Sequence, residues 1–258
     1  LPLAPELPVV ETPPETPHFT TFKSTIGKTE WQAVKQRWQQ QGVTPSAALL
    51  TLFAATLERW SRTTTFTLNL TFFNRQPIHP QINQLIGDFT SVTLVDFNFS
   101  APVTLQEQMQ QTQQRLWQNM AHSEMNGVEV IRELGRLRGS QRQPLMPVVF
   151  TSMLGMTLEG MTIDQAMSHL FGEPCYVFTQ TPQVWLDHQV MESDGELMFS
   201  WYCMDNVLEP GAAEAMFNDY CAILQAVIAA PESLKTLASG IARHIPRRRW
   251  PLNAQADY

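Results

Sequence analysis

The sequence has few cysteines, and their arrangement does not predict a disulfide framework. Cys175, Cys203 and Cys221 are isolated, odd in number and without CxxC spacing. That pattern fits neither paired disulfides nor a structural zinc site. We therefore predict free thiols, as in a reducing cytoplasm, and no metal site.

The chain also lacks an excess of positive charge and long apolar runs. Its formal net charge is -7, whereas a general nucleic-acid binder would show a basic face. Nucleic acid is therefore not an expected partner. Every apolar run is too short to cross a bilayer, so no membrane span is predicted. With 258 residues, 43% of them hydrophobic, the chain is large enough to build one large core or two smaller ones.

The common catalytic motifs are missing as well. The sequence contains no GxxxxGK[ST], no GxGxxG after a strand, no HExxH and no GxSxG. Its six histidines are scattered without metal-ligand spacing. Nucleotide, metal and serine-hydrolase functions therefore lack support.

Both ends of the chain resemble connectors. The first stretch, "LPLAPELPVVETPPETP", holds six prolines and favours an extended, semi-rigid segment. The sequence begins at Leu1 without an initiator Met or a signal peptide. We expect a piece of a longer polypeptide, with a linker over 1–17, a folded lobe over 18–240 and a second linker over 241–258.

Helical and strand patterns alternate along the chain, which predicts an α/β fold with a mixed sheet faced by helices. Strands are expected at 18–28, 65–74, 91–99, 144–155, 175–180, 182–190 and 196–205. Helices are expected at 30–41, after the Thr44–Pro45 start signal, after Thr104, at 128–138 and from near Pro210. The helix after Thr104 is predicted to bury Leu105, Met109, Leu116 and Met120 and to turn a glutamine-rich face to solvent.

Three polar residues stand out because they follow or interrupt apolar strand patterns. They are Asn74, Thr151 and Asp187. Strand alternation places Asp187 on one face together with Gln183, Trp185 and Gln189. Asn74, Thr151 and Asp187 each also have a purely structural interpretation, and the periodicity of the sequence does not exclude it. Asp187 would be solvated on an edge strand that starts near Pro182, Thr151 would reflect β propensity, and Asn74 would be a turn residue.

Several segments resemble motifs of one family. "PVVFTSMLG" and "QTPQVWLDHQ" are similar to two signature motifs of the heterocyclization domains of nonribosomal peptide synthetases, which are relatives of condensation domains. Further similar segments follow the family's order over nearly the whole chain: "LPLAPELP", "TPSAALLTLFAATLERW", "NRQP", "IGDFTS" and "GAAEAMFNDYCAIL".

The resemblance implies one lobe of a two-lobed pseudo-dimer, in which each lobe resembles chloramphenicol acetyltransferase. A tunnel between the lobes would admit two phosphopantetheine arms. The family's DxxxxD motif, which replaces the HHxxxDG of condensation domains, is absent here, so the chain resembles the C-terminal lobe. The implied partners are an N-terminal lobe carrying DxxxxD, upstream and downstream peptidyl carrier domains and an adjacent adenylation domain. No cofactor is expected on this lobe, since phosphopantetheine belongs to the carriers.

The resemblance also implies a reaction. A carrier-bound Cys, Ser or Thr would condense with an upstream acyl thioester, and its side chain would then close a thiazoline or oxazoline with loss of water, in a siderophore pathway. Asp187, its pKa raised by desolvation against Trp185, would be the acid/base, and Thr151 would orient it. The expected substrate-binding residues are Asn74, Ser152, Gln180 and Gln183.

Two other functions remain open at this point. The lobe would be a non-catalytic carrier-docking element of an ordinary condensation domain if Arg132, Arg136 and Arg138 meet an acidic carrier or a pantetheine phosphate. A solvated helix face is the alternative interpretation of these arginines. A stand-alone acyltransferase would need the HHxxxDG motif, which the sequence lacks.

Overall fold

The computed structural model describes residues 1–10, 17–73, 79–85, 87, 89–122, 125–139, 144–158, 161–172, 179, 181 and 183–235. Helices and strands alternate along it, as the sequence patterns predict. In chain order they are β1 (Phe19–Ile26), α1 (Lys28–Gln40), α2 (Pro45–Trp60), β2 (Thr65–Phe73), β3 (Thr90–Asn98), α3 (Leu105–Ala121), α4 (Gly127–Arg138), β4 (Val148–Ser152), β5 (Thr157–Leu158), β6 (Met161–Thr162), α5 (Ile163–Phe171), β7 (Leu186–Ser193), β8 (Glu196–Met204) and α6 (Ala212–Ala229). Short 3-10 turns span Ile82–Gln84 and Pro231–Lys235.

Six of the strands form one mixed sheet in the order β1-β8-β7-β4-β2-β3. The three central strands β7, β4 and β2 run parallel, and the outer pairs are antiparallel. The strands β5 and β6 form a separate hairpin. The expectation of a mixed sheet with helices is therefore confirmed. The hairpin and α5 were not predicted. All of the strand expected at 175–180 except residue 179 lies outside the described residues.

One face of the sheet forms the core with the helices. Along β7 the buried residues are Leu186, His188 and Val190, and they alternate with half-buried ones. The neighbouring β8 buries Phe199 and Trp201 in the same way. Because strand residues alternate between faces, this apolar set locks the register of the central strands.

The helix α2 is the centre of the helical layer. Thr44 caps it by accepting a hydrogen bond from the backbone of Ala47, and Pro45 is its first residue. Every residue from 47 to 58 is buried, so the helix is enclosed all round instead of having one apolar face. It packs against α3 and α6, and Phe53 contacts Phe150 of β4 and Trp201 of β8 in the sheet.

The helix α3 differs from its sequence-based description in two ways. Thr104 and Glu107 form the full capping box at its start. Its glutamine face is not wholly solvated, because Gln108 and Gln113 are buried. Gln113 accepts hydrogen bonds from the backbone and hydroxyl of Thr44. Met120, expected in the core, is 57% exposed.

The proline-rich start of the chain lies against the lobe over its first ten residues. Val9 forms a bridge with Leu208, and the carbonyls of Pro2 and Leu3 accept hydrogen bonds from Thr67. Among the described residues, no helix combines the length and the apolar character that a membrane span requires.

Candidate functional site

The Asp187 carboxylate is held by two side chains on the face of the sheet opposite the core. The Thr151 hydroxyl donates to Oδ1 at 3.2 Å, and the Gln189 amide donates to Oδ2 at 2.6 Å. Thr151 lies on β4, directly across from Gln189. The three side chains therefore form one polar cluster spanning two adjacent parallel strands.

Strand pairing explains why these residues meet. In the parallel register, Asp187 is paired with Val149 and Gln189 with Thr151. Diagonal neighbours on one face of a sheet lie within reach of each other, which brings Thr151 to Asp187. The buried residues Leu186 and His188 fix which way Asp187 points, because a one-residue slip would put the carboxylate in the core.

The edge-strand interpretation of Asp187 is wrong. The strand β7 is third in the six-strand sheet, flanked by β8 and β4. The Asp187 side chain is half-buried, not freely solvated. The sequence predicts that Gln183, Trp185, Asp187 and Gln189 lie on one face of a strand. Because β7 starts at Leu186, only Asp187 and Gln189 of this set belong to the strand, and these two do share a face.

Burial raises the pKa of Asp187 above its ordinary value, and the hydrogen bonds from Gln189 and Thr151 partly oppose that rise. The carboxyl group therefore keeps its proton to a higher pH than a solvated aspartate. Across the sheet, Asp187 is paired with Tyr202. Burial raises the pKa of Tyr202, a hydrogen bond with Ser200 opposes this, and the Asp187 charge raises it further. This arrangement suits a group that donates and recovers a proton.

Of the four predicted substrate-binding residues, the two that the structure describes, Gln183 and Ser152, lie outside this cluster. Gln183 is exposed in the turn before β7. Ser152 follows Thr151 but belongs to the core-side face, where its hydroxyl lies 2.7 Å from that of Ser46. Asn74 and Gln180 lie outside the described residues. The roles assigned to all four remain predictions.

The amide that contacts Asp187 is that of Gln189, which strand alternation predicts on the same face but which is not among the predicted site residues. The period-two alternation was the signal that could have found it, since Gln189 is the next residue on that face. The glutamines predicted to bind substrate, Gln180 and Gln183, precede β7 in the sequence.

The three arginines on α4 are exposed. Arg136 forms an ion pair with Glu133 of the same helix at 3.2 Å, with both side chains largely in solvent. Such a pair contributes little to stability. Whether Arg132, Arg136 and Arg138 dock a partner remains a prediction.

Comparison with known proteins places the chain in one family. The family model described as "Condensation domain" matches residues 2–237. Pyochelin synthetase PchF of Pseudomonas aeruginosa is 34% identical over 240 residues, which cover 90% of this chain and 13% of the relative. Phenyloxazoline synthase MbtB of Mycobacterium tuberculosis is 40% identical over 186 residues, which cover 72% of this chain and 13% of the relative. The chain thus spans about an eighth of the length of these two relatives.

A solved structure matches the fold. The cyclization-docking bidomain of the EpoB nonribosomal peptide synthetase from Sorangium cellulosum superimposes with a TM-score of 0.79 at 36% identity. The match covers 90% of this chain and 47% of the bidomain. The chain belongs to the condensation-domain family. The motif resemblance and the expected chloramphenicol-acetyltransferase-like lobe are confirmed.

Proposed function

We propose that this chain is the part of a heterocyclization domain that carries the acid/base of ring closure. Asp187 is the catalytic acid/base, and Thr151 and Gln189 position it. The observation that carries this proposal is the half-buried Asp187 carboxyl group, whose two oxygens accept hydrogen bonds from Thr151 and Gln189. The names of three relatives, which refer to a phenyloxazoline, to pyochelin and to cyclization, support the reaction class.

The reaction has a condensation stage and a ring-closing stage. The amine of a carrier-bound Cys, Ser or Thr attacks the upstream acyl thioester and releases the carrier thiol, forming an amide. The side-chain thiol or hydroxyl then adds to the amide carbon, and the carbonyl oxygen becomes a hydroxyl group. Loss of that hydroxyl as water leaves the thiazoline or oxazoline.

Asp187 acts in the loss of water. Its carboxylic acid donates a proton to the departing hydroxyl while the nitrogen lone pair forms the C=N bond. The nitrogen then gives up its proton to the Asp187 carboxylate, which restores the acid. The raised pKa of Asp187 supports this role, because an acid is most effective when its pKa is near the working pH.

The partners follow from the same proposal. An N-terminal lobe bearing DxxxxD supplies the opposite wall of the tunnel, and peptidyl carrier domains deliver both substrates on phosphopantetheine arms. An adenylation domain loads the amino acid to be cyclised. A siderophore product is the expectation carried over from the family resemblance.

The substitution Asp187→Asn in the complete synthetase tests the proposal. Asparagine keeps the shape and an oxygen that accepts from Thr151, but it has no acidic proton. We expect uncyclised peptide to accumulate and ring closure to slow by about 10²- to 10⁴-fold, the usual contribution of a general acid/base. Mass spectrometry of the released products separates the two stages.

The matched control is Asp194→Asn, the same chemical change in the turn after β7. Asp194 has a positive φ of 48°, which asparagine accommodates well. This variant should form the ring at the wild-type rate. Normal ring yield from Asp187→Asn would refute the assignment and favour a carrier-docking lobe without catalytic residues. An equal loss of condensation and ring closure would also contradict it.

A further inference from the structure

Asp187 lies between two buried side chains in one row of the sheet. On β4 it is paired with Val149, and on β8 it is paired with Tyr202. Val149 is 7% exposed and Tyr202 is 4% exposed. Paired residues on neighbouring strands have their side chains on the same face of the sheet, and the strands lie about 4.8 Å apart. The carboxyl group therefore has a buried neighbour on each side within its own row.

Val149 and Tyr202 are buried on the face that bears Asp187, not in the main core. The core cluster takes their neighbours in the chain instead, which are Val148, Phe150, Trp201 and Cys203. Because successive strand residues alternate between faces, Val149 and Tyr202 lie on the side of the sheet opposite that core. Their burial therefore acts on the surroundings of Asp187.

The ring of Tyr202 is also fixed in direction. Its hydroxyl is hydrogen-bonded to Ser200, the next residue of β8 on the same face. Ser200 is paired with Gln189, whose amide donates to Asp187. The ring therefore runs along β8 beside the side chains of Asp187 and Gln189, where it is placed to exclude water from the carboxyl group.

The surroundings of Asp187 act on its pKa in two opposing ways. Burial raises the pKa of Asp187, and the hydrogen bonds from Gln189 and Thr151 lower it by a smaller amount. An apolar wall displaces the water that would solvate a carboxylate and offers it no hydrogen bond, so the wall favours the neutral acid. Val149 and the aromatic ring of Tyr202 are walls of this kind.

Apart from Tyr202, the described titratable side chains on β7 and the elements around it either lie on the other face of the sheet or are exposed. Those on the other face are His188, Glu192 and Cys203. The exposed ones are Lys23 of β1, Glu196 of β8 and His169 of α5, a helix that lies against β7. Burial raises the pKa of Tyr202 above its ordinary value of 10.0, so the phenol stays neutral beside Asp187.

We propose that Val149 and Tyr202 are positioning residues that keep water from the Asp187 carboxyl group, and that Tyr202 thereby sets the upper pH limit of ring closure. The inference rests on the proposed heterocyclization function and adds a pH dependence to it. Trp185, which the sequence predicts in this role, precedes β7 and is half-buried. The directly paired Tyr202 has the larger effect.

The pKa of Asp187 is measured in the 258-residue chain without any substrate. Carbon-13 NMR follows the titration of the aspartate carboxyl carbons, and the signal missing from Asp187→Asn identifies Asp187. Tyr202→Ser removes the ring, so the pKa of Asp187 should fall. Tyr202→Phe keeps the ring, so the pKa should stay at least as high as in the wild type. Val149→Thr adds a hydroxyl that can donate to the carboxylate, so it should also lower the pKa.

The matched control is Met198→Ser. It replaces a large side chain by serine on the same face of β8, at a position paired with Met191, and it should leave the pKa of Asp187 unchanged. In the complete synthetase, the decline of the ring-closure rate at high pH should begin at a lower pH in Tyr202→Ser than in the wild type. Tyr202→Phe should not show this shift.

Three results would overturn the inference. They are an unchanged Asp187 pKa in Tyr202→Ser, an equal fall in Tyr202→Phe, and a larger fall in Trp185→Ser than in Tyr202→Ser. If Tyr202→Ser does not fold, an unchanged pKa in Val149→Thr overturns it instead. The titration needs no ring closure, whereas the proposed function fails on normal ring yield from Asp187→Asn, so the two failures are distinct results.

Discussion

His188 makes the stability of this lobe sensitive to acid. The side chain is fully buried, and its ring meets those of Phe53, Phe150 and Tyr220 nearly at right angles, with centroids 4.7, 5.2 and 4.6 Å away. Neither ring nitrogen has a hydrogen-bond partner within the described part of the chain. Burial lowers the pKa of His188 well below its ordinary value of 6.5, so the imidazole stays neutral in the folded state.

The sign of the effect follows from proton linkage. Below pH 6.5 the unfolded chain binds a proton at His188 that the folded chain excludes. The free energy of unfolding therefore falls as the pH falls, by roughly 1 kcal/mol for each pH unit below 6.5 until the folded pKa is reached. A typical domain is stable by only about 5–15 kcal/mol, so this loss is measurable.

His188→Phe isolates this contribution. The variant keeps an aromatic ring but cannot take up a proton. Removing unpaired polar atoms gains about 1–3 kcal/mol, and the extra ring volume costs about 1–3 kcal/mol through overpacking, so the net stability at pH 7.5 should change little. Urea unfolding at pH 7.5, 6.5 and 5.5 should show a shallower acid dependence than in the wild type.

The matched control is His169→Phe, which makes the same substitution at an exposed position on α5. It should keep the full acid dependence. If wild type and His188→Phe lost stability in parallel as the pH fell, the linkage reasoning would be wrong.

Three further outcomes follow from the same contacts. Thr151→Val removes a hydrogen bond that lowers the pKa of Asp187, so the decline of the ring-closure rate at high pH should move to higher pH. Thr151→Ser keeps the hydroxyl and should retain the wild-type pH profile. A shift of the Thr151→Val profile to lower pH would contradict the positioning role. Asp187→Asn should raise the free energy of unfolding at neutral pH, because it removes a carboxyl group whose ionised form burial disfavours; a less stable variant would count against this. Phe53→Ala should cost about 3–5 kcal/mol, measured by urea unfolding, since Phe53 is fully buried against His188 and Trp201; a loss below 1 kcal/mol would refute its central role in the core.

The candidate site was only partly predictable from the sequence. Strand alternation put Asp187 and Gln189 on one face, but it said nothing about which strand lies beside them. Thr151 is 36 residues away from Asp187, and only the parallel pairing of β4 with β7 brings the two within hydrogen-bond distance. The same pairing separates Ser152 from Asp187, because adjacent strand residues face opposite sides of the sheet.

Local chemistry in the sequence determined the helix starts at Thr44 and Thr104, the alternation along β7 and the mixed α/β character, because caps and periodicity act over only a few residues. The tertiary structure alone decided that β7 is an interior strand, that α2 is enclosed on every side and that Gln113 is buried against Thr44. These outcomes depend on contacts between distant segments, as where Thr44 donates hydrogen bonds to the oxygen of buried Gln113 from 69 residues away in the sequence.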